Sequence, residues 1–405
     1  MNWEKIRSLL KQVEAAIEII RIAKNIKNDS VIYAGLIITQ NVVDHPVMVL
    51  FSDGKKMETR EYSRYLNSIK FKVRNETSYK VYWKPFEHDL AGIKKVFVSS
   101  DGIYNKINLN TLYNPDSSNY LIDQFQIILL SNTRDLLKER KSATPPQNVA
   151  ELLGYPDYKS GVSGSTGVTG KLQNGSGISE LLRSGVSPLP GTKDEVELIK
   201  QVLNSNNWQT TLYTGLEADE NNLKKIHNPG ILHLATHGFF LNDVELNRNL
   251  GEENQLMNEA MISNPLLRSG VLLAGAERGI NHNSYDANPE NEGSDGILTA
   301  YEAMNLNLDN SQLVVLSACE TGLGENKNGE GIYGLQRAFL VAGASNLVMS
   351  LWKVNDATTQ ELMTGFYKTW LSGKSLTDAF RETQLQMKQK YPFPYYWGAF
   401  IMIGN

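Results

Sequence analysis

The sequence has very little cysteine: Cys319 is the single one among 405 residues. A chain with one cysteine forms no intrachain disulfide, so nothing indicates an oxidising compartment or a disulfide-stabilised fold. It also lacks any apolar run that approaches the roughly 18 residues of a membrane span. The segment Met1–Arg7 has mixed charges and no long apolar core, which is not typical of a secretory signal peptide. We therefore expect a cytoplasmic protein without a membrane partner.

An excess of positive charge is missing too. The formal net charge is −4, so the chain as a whole has no electrostatic footprint for nucleic acid or anionic lipid. Its 41% hydrophobic and 21% charged residues are typical of soluble globular proteins. The length indicates two to three domains or one large α/β unit with insertions.

Short apolar runs that end in turn signals predict strands, and helical patterns separate many of them. This alternation favours an α/β fold with a mostly parallel sheet flanked by helices. The predicted strands are Val31–Thr39, Val47–Phe51, Lys80–Trp83, Val96–Ser99, Phe125–Leu130, Leu152–Tyr155, Thr210–Tyr213, Ile231–Ala235, Leu313–Leu316, Asn346–Trp352 and Tyr396–Ile403. We expect an N-terminal α/β domain over residues 1–150 and a second domain over 151–405.

Six apolar residues near the amino terminus recur at spacings of three and four, which predicts an amphipathic helix. They are Trp3, Ile6, Leu10, Val13, Ile17 and Ile20. Such a helix either docks on the domain's own sheet, which would bury its apolar stripe, or joins a helical partner, which would leave part of the stripe exposed.

Two segments are predicted to be irregular. A Gly/Ser/Thr-rich tract over residues 160–177 buries little and should be mobile. The stretch from 239 to 295 is a long loop, and loops of this length are usually functional or disordered. Within the first tract, GSTGVTGK at 164–171 fails the P-loop pattern, because five residues separate its outer glycines and Leu172 replaces Ser/Thr. No nucleotide cofactor is expected.

Cys319 lies just beyond the buried-type strand that begins at Leu313, followed by a glycine-punctuated turn. A thiolate nucleophile needs a base, and histidine is the usual one. His237 follows the strand Ile231–Ala235 and precedes Gly238, so it occupies the equivalent position at its own strand end. Adjacent parallel strands would bring both side chains to one edge of the sheet.

This pattern favours a cysteine nucleophile with a histidine base, and the backbone N–H groups of Gly238 and Cys319 could form an oxyanion hole. The alternative for a lone cysteine is an inert, buried apolar residue. A metal site at His233 and His237 is disfavoured, because on a strand these residues lie about 13 Å apart. His233 is predicted to be a satisfied core residue, and Thr192 with Glu195 is predicted to form a capping box.

Five motifs together resemble the CHAT family, caspase-like cysteine peptidases of clan CD that are related to separases. They are HLATHGFF at 233–240, LSACETG at 316–322, GEG at 329–331, SLWKVND at 350–356 and YWGAF at 396–400. The resemblance implies a caspase-haemoglobinase fold with His237 as general base and acid and Cys319 as nucleophile. It also implies that residues 1–150 form a degenerate, pseudo-caspase-like unit beside a catalytic domain.

The resemblance extends to a candidate specificity pocket. Asp356 falls where separase-like enzymes, with a similar Leu-Trp-x-Val-x-Asp segment, place the carboxylate that receives a P1 arginine. A carboxylate recognises a guanidinium through bidentate, charge-assisted hydrogen bonds. The alternative is that Asp356 caps the helix that starts near Ala357. Ser317, Glu320 and Trp352 are further pocket candidates.

These observations predict a cysteine endopeptidase that cleaves a protein substrate, prefers Arg or Lys at P1 and needs no cofactor or metal. The resemblance is compatible with latency until a regulatory or sensor partner acts, and with a role in bacterial defence or cell death. The alternative function is a catalytically latent interaction or scaffold module.

Overall fold

The computed structural model describes residues 3–25, 30–137, 147–160, 185–241, 264–281, 294–318, 325–327, 331–353 and 355–404. The chain forms two compact units. Unit 1 comprises Met1–Ala143, Asn326–Ile332 and Lys368–Asn405, and unit 2 comprises Thr144–Glu325 and Tyr333–Tyr367. The predicted fold class, α/β with a mostly parallel sheet flanked by helices, is confirmed. The functional division at residue 150 stays a prediction.

The strands, labelled in chain order, are short except for the first two. They are β1 Glu14–Asn25, β2 Ser30–Thr39, β3 Val47–Phe51, β4 Lys95–Ser99, β5 Tyr113–Asn114, β6 Asn119–Tyr120, β7 Gln126–Leu130, β8 Val149–Pro156, β9 Gln209–Gly215, β10 Ile231–Ala235, β11 Gly238–Phe240, β12 Ser269–Leu272, β13 Ile297–Thr299, β14 Leu313–Ser317, β15 Glu325–Lys327, β16 Gly331–Tyr333, β17 Asn346–Ser350 and β18 Phe400–Gly404.

The α-helices range from single turns to four turns or more. They are α1 Trp3–Leu9, α2 Gly54–Lys56, α3 Tyr62–Lys70, α4 Glu76–Tyr82, α5 Leu121–Gln124, α6 Pro190–Asn204, α7 Glu220–Lys224, α8 Ala276–Asn281, α9 Ala300–Ala303, α10 Leu335–Val341, α11 Asp356–Leu371, α12 Leu376–Lys390 and α13 Pro394–Trp397. A π-helix covers Met57–Glu61, and 3₁₀ turns cover Lys84–Leu90, Gly102–Lys106, Leu109–Thr111, Thr133–Leu137 and Pro265–Leu267. No helix in the described ranges has both the length and the apolar character needed to cross a membrane.

In unit 1 the strands follow the order β3-β2-β1-β4-β7-β18. The pairs of β1 with β2 and of β2 with β3 are antiparallel, whereas β1, β4, β7 and β18 pair in parallel. One face of this sheet carries a cluster in which Ile6 of α1 meets Ala16, Ile38, Phe97 and Ile128. The short helix α1 therefore covers only part of that face.

The predicted amphipathic helix over Trp3–Ile20 is wrong beyond Leu9, where α1 ends and is soon followed by β1. Isoleucines dominate this part of the sequence, and β-branched side chains favour a pleated surface. β1 pairs with a strand on each side, and that ladder outweighs the helical spacing. Ile6 and Ile17 are fully buried in the two elements, whereas Val13 between them is 46% exposed. Neither alternative for a long helix therefore applies.

Two strand predictions also fail. Lys80–Trp83 lies mostly in helix α4, because Asn75 caps that helix by accepting a hydrogen bond from the Ser78 N–H group. The first residues of Tyr396–Ile403 lie in α13, which has Pro394 at its first turn, and only β18 is extended.

In unit 2 the strands follow the order β17-β14-β10-β8-β9, and all described pairs are parallel. Every residue of β10, β14 and β17 is buried. Only Thr236 and His237 separate β10 from β11, which starts a small antiparallel sheet in the order β11-β12-β13. This second sheet is stacked on its own core, which includes Tyr158, Phe239 and Leu272.

The two predicted irregular segments fall largely outside the described residues. Of the tract over 160–177, only Ser160 is described. Residues 242–263 and 282–293 are likewise outside, but the described remainder of 239–295 is not irregular. It contains the strands β11 and β12 and the helix α8, so the expectation of one long loop is wrong there.

Candidate active site

The strands that lead to His237 and Cys319 are hydrogen-bonded neighbours in the parallel sheet of unit 2. Ala235 at the end of β10 pairs with Ser317 at the end of β14. His237 lies two residues beyond Ala235, and Cys319 lies two residues beyond Ser317. Both positions therefore follow the carboxyl edge of adjacent strands in the same register, although Cys319 itself lies outside the described residues, as does Glu320.

Backbone contacts hold His237 in place at the junction of β10 and β11. Its carbonyl accepts a hydrogen bond from the Leu272 N–H group at 2.9 Å. The preceding residue, Thr236, donates its hydroxyl to the Leu272 carbonyl and contacts the Tyr158 hydroxyl at 2.9 Å. The Tyr158 ring lies 5.3 Å from the His237 ring, centroid to centroid. The imidazole is therefore attached to a rigid part of the small sheet.

The imidazole of His237 makes one described hydrogen bond, between Nε2 and the Ser187 carbonyl oxygen at 2.8 Å. A carbonyl oxygen only accepts, so Nε2 must carry the hydrogen. In the neutral ring, Nδ1 is then the nitrogen with the free lone pair. The Ser187 carbonyl thus selects the tautomer that can take a proton at Nδ1.

Burial lowers the pKa of His237 below its ordinary value. The hydrogen bond to Ser187 opposes this shift, the Lys353 ammonium reinforces it, and the Asp356 carboxylate opposes it more weakly. The net direction keeps the ring neutral at pH 7, as a general base requires.

Gly238 is oriented by the antiparallel pairing of β11 with β12. Gly238 lies opposite Val271, and the neighbouring pair, His237 with Leu272, is joined by a backbone hydrogen bond. Hydrogen-bonded and non-hydrogen-bonded pairs alternate along an antiparallel ladder. Gly238 is therefore in a non-hydrogen-bonded pair, and this ladder does not use its N–H group.

Asp356 is exposed and is the first residue of α11. The predicted capping role falls instead to Asn355, whose Oδ1 accepts a hydrogen bond from the Ala357 N–H group at 3.0 Å. Asp356 packs against Gly191 in α6: a Cβ atom at Gly191 would come within 2.6 Å of the Asp356 Cβ. Glycine at 191 is thus what allows this close approach.

The other described pocket candidates are buried. Ser317 is 6% exposed, and within the described residues its Oγ atom has no hydrogen-bond partner. Trp352 is 8% exposed and follows β17. Ser350, at the end of β17, donates its hydroxyl to the Ala318 carbonyl at 2.5 Å, so the segment that leads to Cys319 is tied to the neighbouring strand.

His233, inside β10 and four residues before His237, is fully buried in a polar cluster. Its Nε2 lies 2.9 Å from Glu195 Oε1, and its Nδ1 lies 3.2 Å from the Tyr367 hydroxyl. Burial raises the pKa of Tyr367 well above its ordinary value, so the phenol keeps its proton and can donate to Nδ1. The prediction of a satisfied core histidine is confirmed. No group of three metal-ligating side chains occurs in the described part of the chain.

The predicted capping box at Thr192 and Glu195 is wrong. Helix α6 begins at Pro190, so Thr192 already lies in its first turn and donates its hydroxyl to the Leu189 carbonyl at 2.7 Å. Glu195 turns inward to His233 instead. Sequence reasoning also missed Ser187, Lys353 and Gly191, since a backbone carbonyl, an exposed lysine and a small residue in a helix carry no motif of their own.

Comparison with known proteins decides the family. A family model described as the CHAT domain matches residues 75–405 of the 405-residue chain. The chain belongs to the CHAT domain family. The resemblance based on the five sequence motifs is therefore confirmed.

Curated relatives of this CHAT domain include two much longer proteins. Tetratricopeptide repeat protein 28 of Homo sapiens is 23% identical over 292 residues, which are 71% of this chain and 11% of that protein. The Mus musculus protein of the same name is 24% identical over the same shares. The chain thus spans about a tenth of the length of these relatives.

This CHAT domain is similar to two solved structures. The Arg-specific cysteine proteinase gingipain R has a TM-score of 0.45 and 8% identity, over 82% of this chain and 69% of that chain. Separase in the Saccharomyces cerevisiae separase–securin complex has a TM-score of 0.41 and 11% identity, over 77% of this chain and 15% of that chain.

Proposed function

We propose that this CHAT domain is a cysteine endopeptidase in which Cys319 is the nucleophile and His237 is the general base and acid. The observation that supports this most is the register of β10 and β14. It aligns Ala235 with Ser317, so the two strands end at the same edge of the sheet. The hydrogen bond from His237 Nε2 to the Ser187 carbonyl adds to it, because Nδ1 then remains to accept a proton.

The reaction follows from these roles. The Cys319 thiol gives its proton to His237 Nδ1, and the sulfur attacks the scissile carbonyl carbon. The N–H groups of Gly238 and Cys319 stabilise the oxyanion of the tetrahedral intermediate. His237 returns the proton to the leaving amine, which leaves a thioester on Cys319. A water molecule, deprotonated by the same imidazole, then hydrolyses the thioester and regenerates the thiol. No step needs a metal or cofactor.

The substrate preference that we propose is Arg or Lys at P1, with Asp356 as the receiving carboxylate. Asp356 acts on the pKa of His237, so its charge is felt at the reacting centre. Asp356 is exposed at the start of α11, so a substrate side chain can reach its carboxylate. Ser317, Trp352 and Glu320 remain secondary candidates for the same pocket.

A second candidate function is an interaction or scaffold module that stays catalytically latent. It is favoured by the relatives, which are named for tetratricopeptide repeats and are far longer than this chain. Regulation by a partner or sensor protein, and a role in bacterial defence or cell death, belong to the same set of proposals.

Covalent labelling distinguishes the two functions and tests the P1 preference together. Peptidyl acyloxymethyl ketones with Arg or Asp at P1 should react with the thiol only where a neighbouring base activates it. We expect the Arg probe to label the wild-type chain faster than the Asp probe, and Cys319→Ala to remain unlabelled. Intact-mass spectrometry over time gives the two rates.

Asp356→Asn should reduce the Arg-over-Asp rate ratio by about tenfold or more, the loss expected for one charge-assisted hydrogen bond. Glu217→Gln, which removes a similar exposed charge elsewhere in unit 2, should leave the ratio unchanged. A wild-type chain that reacts with neither probe favours the scaffold function. Faster labelling by the Asp probe contradicts the pocket assignment but not the dyad.

The pH dependence should respond to the charges beside His237. Because the Lys353 ammonium lowers the pKa of His237, Lys353→Met should raise that pKa. The acid limb of kcat/KM, which reports the base in the free enzyme, should then move to higher pH. Asp356→Asn should move it to lower pH, since that carboxylate raises the pKa. Lys225→Met, a distant exposed lysine in unit 2, is the control, and an unmoved limb in both site variants contradicts the assignment of His237.

A further inference from the structure

Unit 1 carries an exposed apolar turn directly after helix α3. The Val73 N–H group donates to the Ser68 carbonyl at 2.9 Å and the Lys72 N–H group donates to the Ile69 carbonyl at 3.1 Å, which is a Schellman ending. Lys72 has a φ of 56°, a left-handed conformation that suits glycine and strains a lysine. The turn leaves Phe71 66% exposed and Val73 55% exposed.

Lys72 is held in this conformation by two tyrosines near the carboxyl end of the chain. Its Nζ atom donates to the Tyr396 hydroxyl at 2.7 Å and lies 4.7 Å from the Tyr396 ring centroid. It also lies 4.9 Å from the Tyr395 ring centroid. These contacts offset the strain of the turn and fix the neighbouring apolar side chains at the surface.

Beside this turn is a small cavity of about 10 Å³, which has room for about one water molecule. The exposed Arg74 lines it, with its guanidinium 5.2 Å above the Tyr113 ring and beside the Tyr120 hydroxyl. Polar side chains at the cavity bond to one another, as Asn75 does to the Ser78 hydroxyl at 2.7 Å. The cavity itself therefore admits no side chain, and the apolar surface that a partner can reach consists of Phe71 and Val73.

The cations of this turn are concentrated, and none of them has an acidic partner among the residues that the structure describes. Lys70, Lys72 and Arg74 alternate with apolar residues, and in the described ranges none of them forms a salt bridge with a carboxylate. The whole chain, by contrast, has a net charge of −4. A local excess of positive charge on an acidic protein selects a ligand of negative charge. We call these three cations, with Phe71, Val73 and the cavity, the basic-aromatic patch.

We propose that the basic-aromatic patch binds an acidic segment of a partner protein, which packs one aromatic or aliphatic side chain on the exposed Phe71 and Val73. The segment sets its carboxylates against Lys70, Lys72 and Arg74. Exposed aromatic residues with arginine are the composition of protein-interface hot spots.

Single-stranded nucleic acid is the less favoured ligand. It would need free aromatic faces on which bases stack. Here Lys72 covers faces of Tyr395 and Tyr396, and Arg74 covers a face of Tyr113. The patch therefore offers carboxylate-binding cations and an exposed apolar turn rather than a stacking platform.

Fluorescence anisotropy with the full chain and a labelled peptide, DEDFDED, tests the proposal. We expect saturable binding that is weakened about tenfold or more by Arg74→Glu, the loss of a charge-assisted contact, and also weakened by Phe71→Ala. Both side chains are exposed, so both variants should keep the wild-type thermal melting temperature. The peptide DEDADED, which lacks the anchor, should bind about tenfold more weakly.

Lys225→Glu reverses one exposed charge in unit 2 and should leave binding of the peptide unchanged. Equal binding of the two peptides, undiminished binding by Arg74→Glu, no saturable binding, or tighter binding of a labelled oligothymidylate would each overturn the proposal. The assay measures binding alone, so its result tests the patch independently of the peptidase function.

Discussion

Cys319→Ala and His237→Ala should each lower kcat/KM for a cleaved peptide by a factor on the order of 10⁴–10⁶. Without the thiol no acyl-enzyme forms, and without the imidazole nothing at Nδ1 removes the thiol proton. The two residues act as one unit, so the double variant should be little worse than either single variant. The substrate is a peptide with the P1 residue that the labelling experiment favours. Initial rates at pH 7 give the reduction in kcat/KM for each single variant and for the double variant.

The matched control for this experiment is His45→Ala, which removes an exposed histidine from unit 1 and should leave the rate unchanged. Multiplicative losses in the double variant would mean that the two side chains act in separate steps. Undiminished cleavage by Cys319→Ala would rule out the mechanism altogether. Circular dichroism of each variant establishes that loss of activity is not loss of fold.

Glu195→Ala should lower the free energy of unfolding by about 1–3 kcal/mol, the cost of leaving the buried Nε2–H group of His233 without its acceptor. Glu195 is 2% exposed and His233 is fully buried, so the carboxylate that His233 Nε2 contacts is shielded from solvent. The Tyr367 hydroxyl would remain on the other ring nitrogen, but it cannot satisfy both. Urea unfolding followed by circular dichroism measures the difference.

Glu197→Ala is the matched control, because this residue is an exposed glutamate on the same helix and should change stability by less than about 0.5 kcal/mol. Replacing both partners, as in Glu195→Leu with His233→Leu, should recover part of the loss, since a buried pair is often exchangeable for apolar residues. A loss below about 1 kcal/mol in Glu195→Ala would contradict the role of this cluster in stability.

The two predictions concern two histidines, His233 and His237, that are close in the sequence but have different surroundings. His233 lies inside β10, where α6 and α11 provide Glu195 and Tyr367. His237 lies beyond the strand end, where, among the residues that the structure describes, a backbone carbonyl alone bonds to its ring. The first environment uses both ring nitrogens for packing, whereas the second leaves one nitrogen for chemistry. Position along a strand thus separates a structural histidine from a candidate base.

The sequence by itself determined the α/β class, the strands β10 and β14, and the pairing of His237 with Cys319 as candidates. Local apolar patterns and strand-end turns contain this information, because the carboxyl ends of parallel strands share an edge. Periodicity was ambiguous only where isoleucines satisfy both a helical and a strand spacing. That is why the predicted helix extended over β1.

Only the tertiary structure decided which contacts those residues make. The Ser187 carbonyl on His237, the turn of Glu195 towards His233, and the approach of Asp356 to Gly191 join residues that are far apart in the sequence. The same is true of Lys72 and Tyr396 in the basic-aromatic patch. Such contacts depend on how elements pack in three dimensions, and neither residue type nor spacing specifies packing.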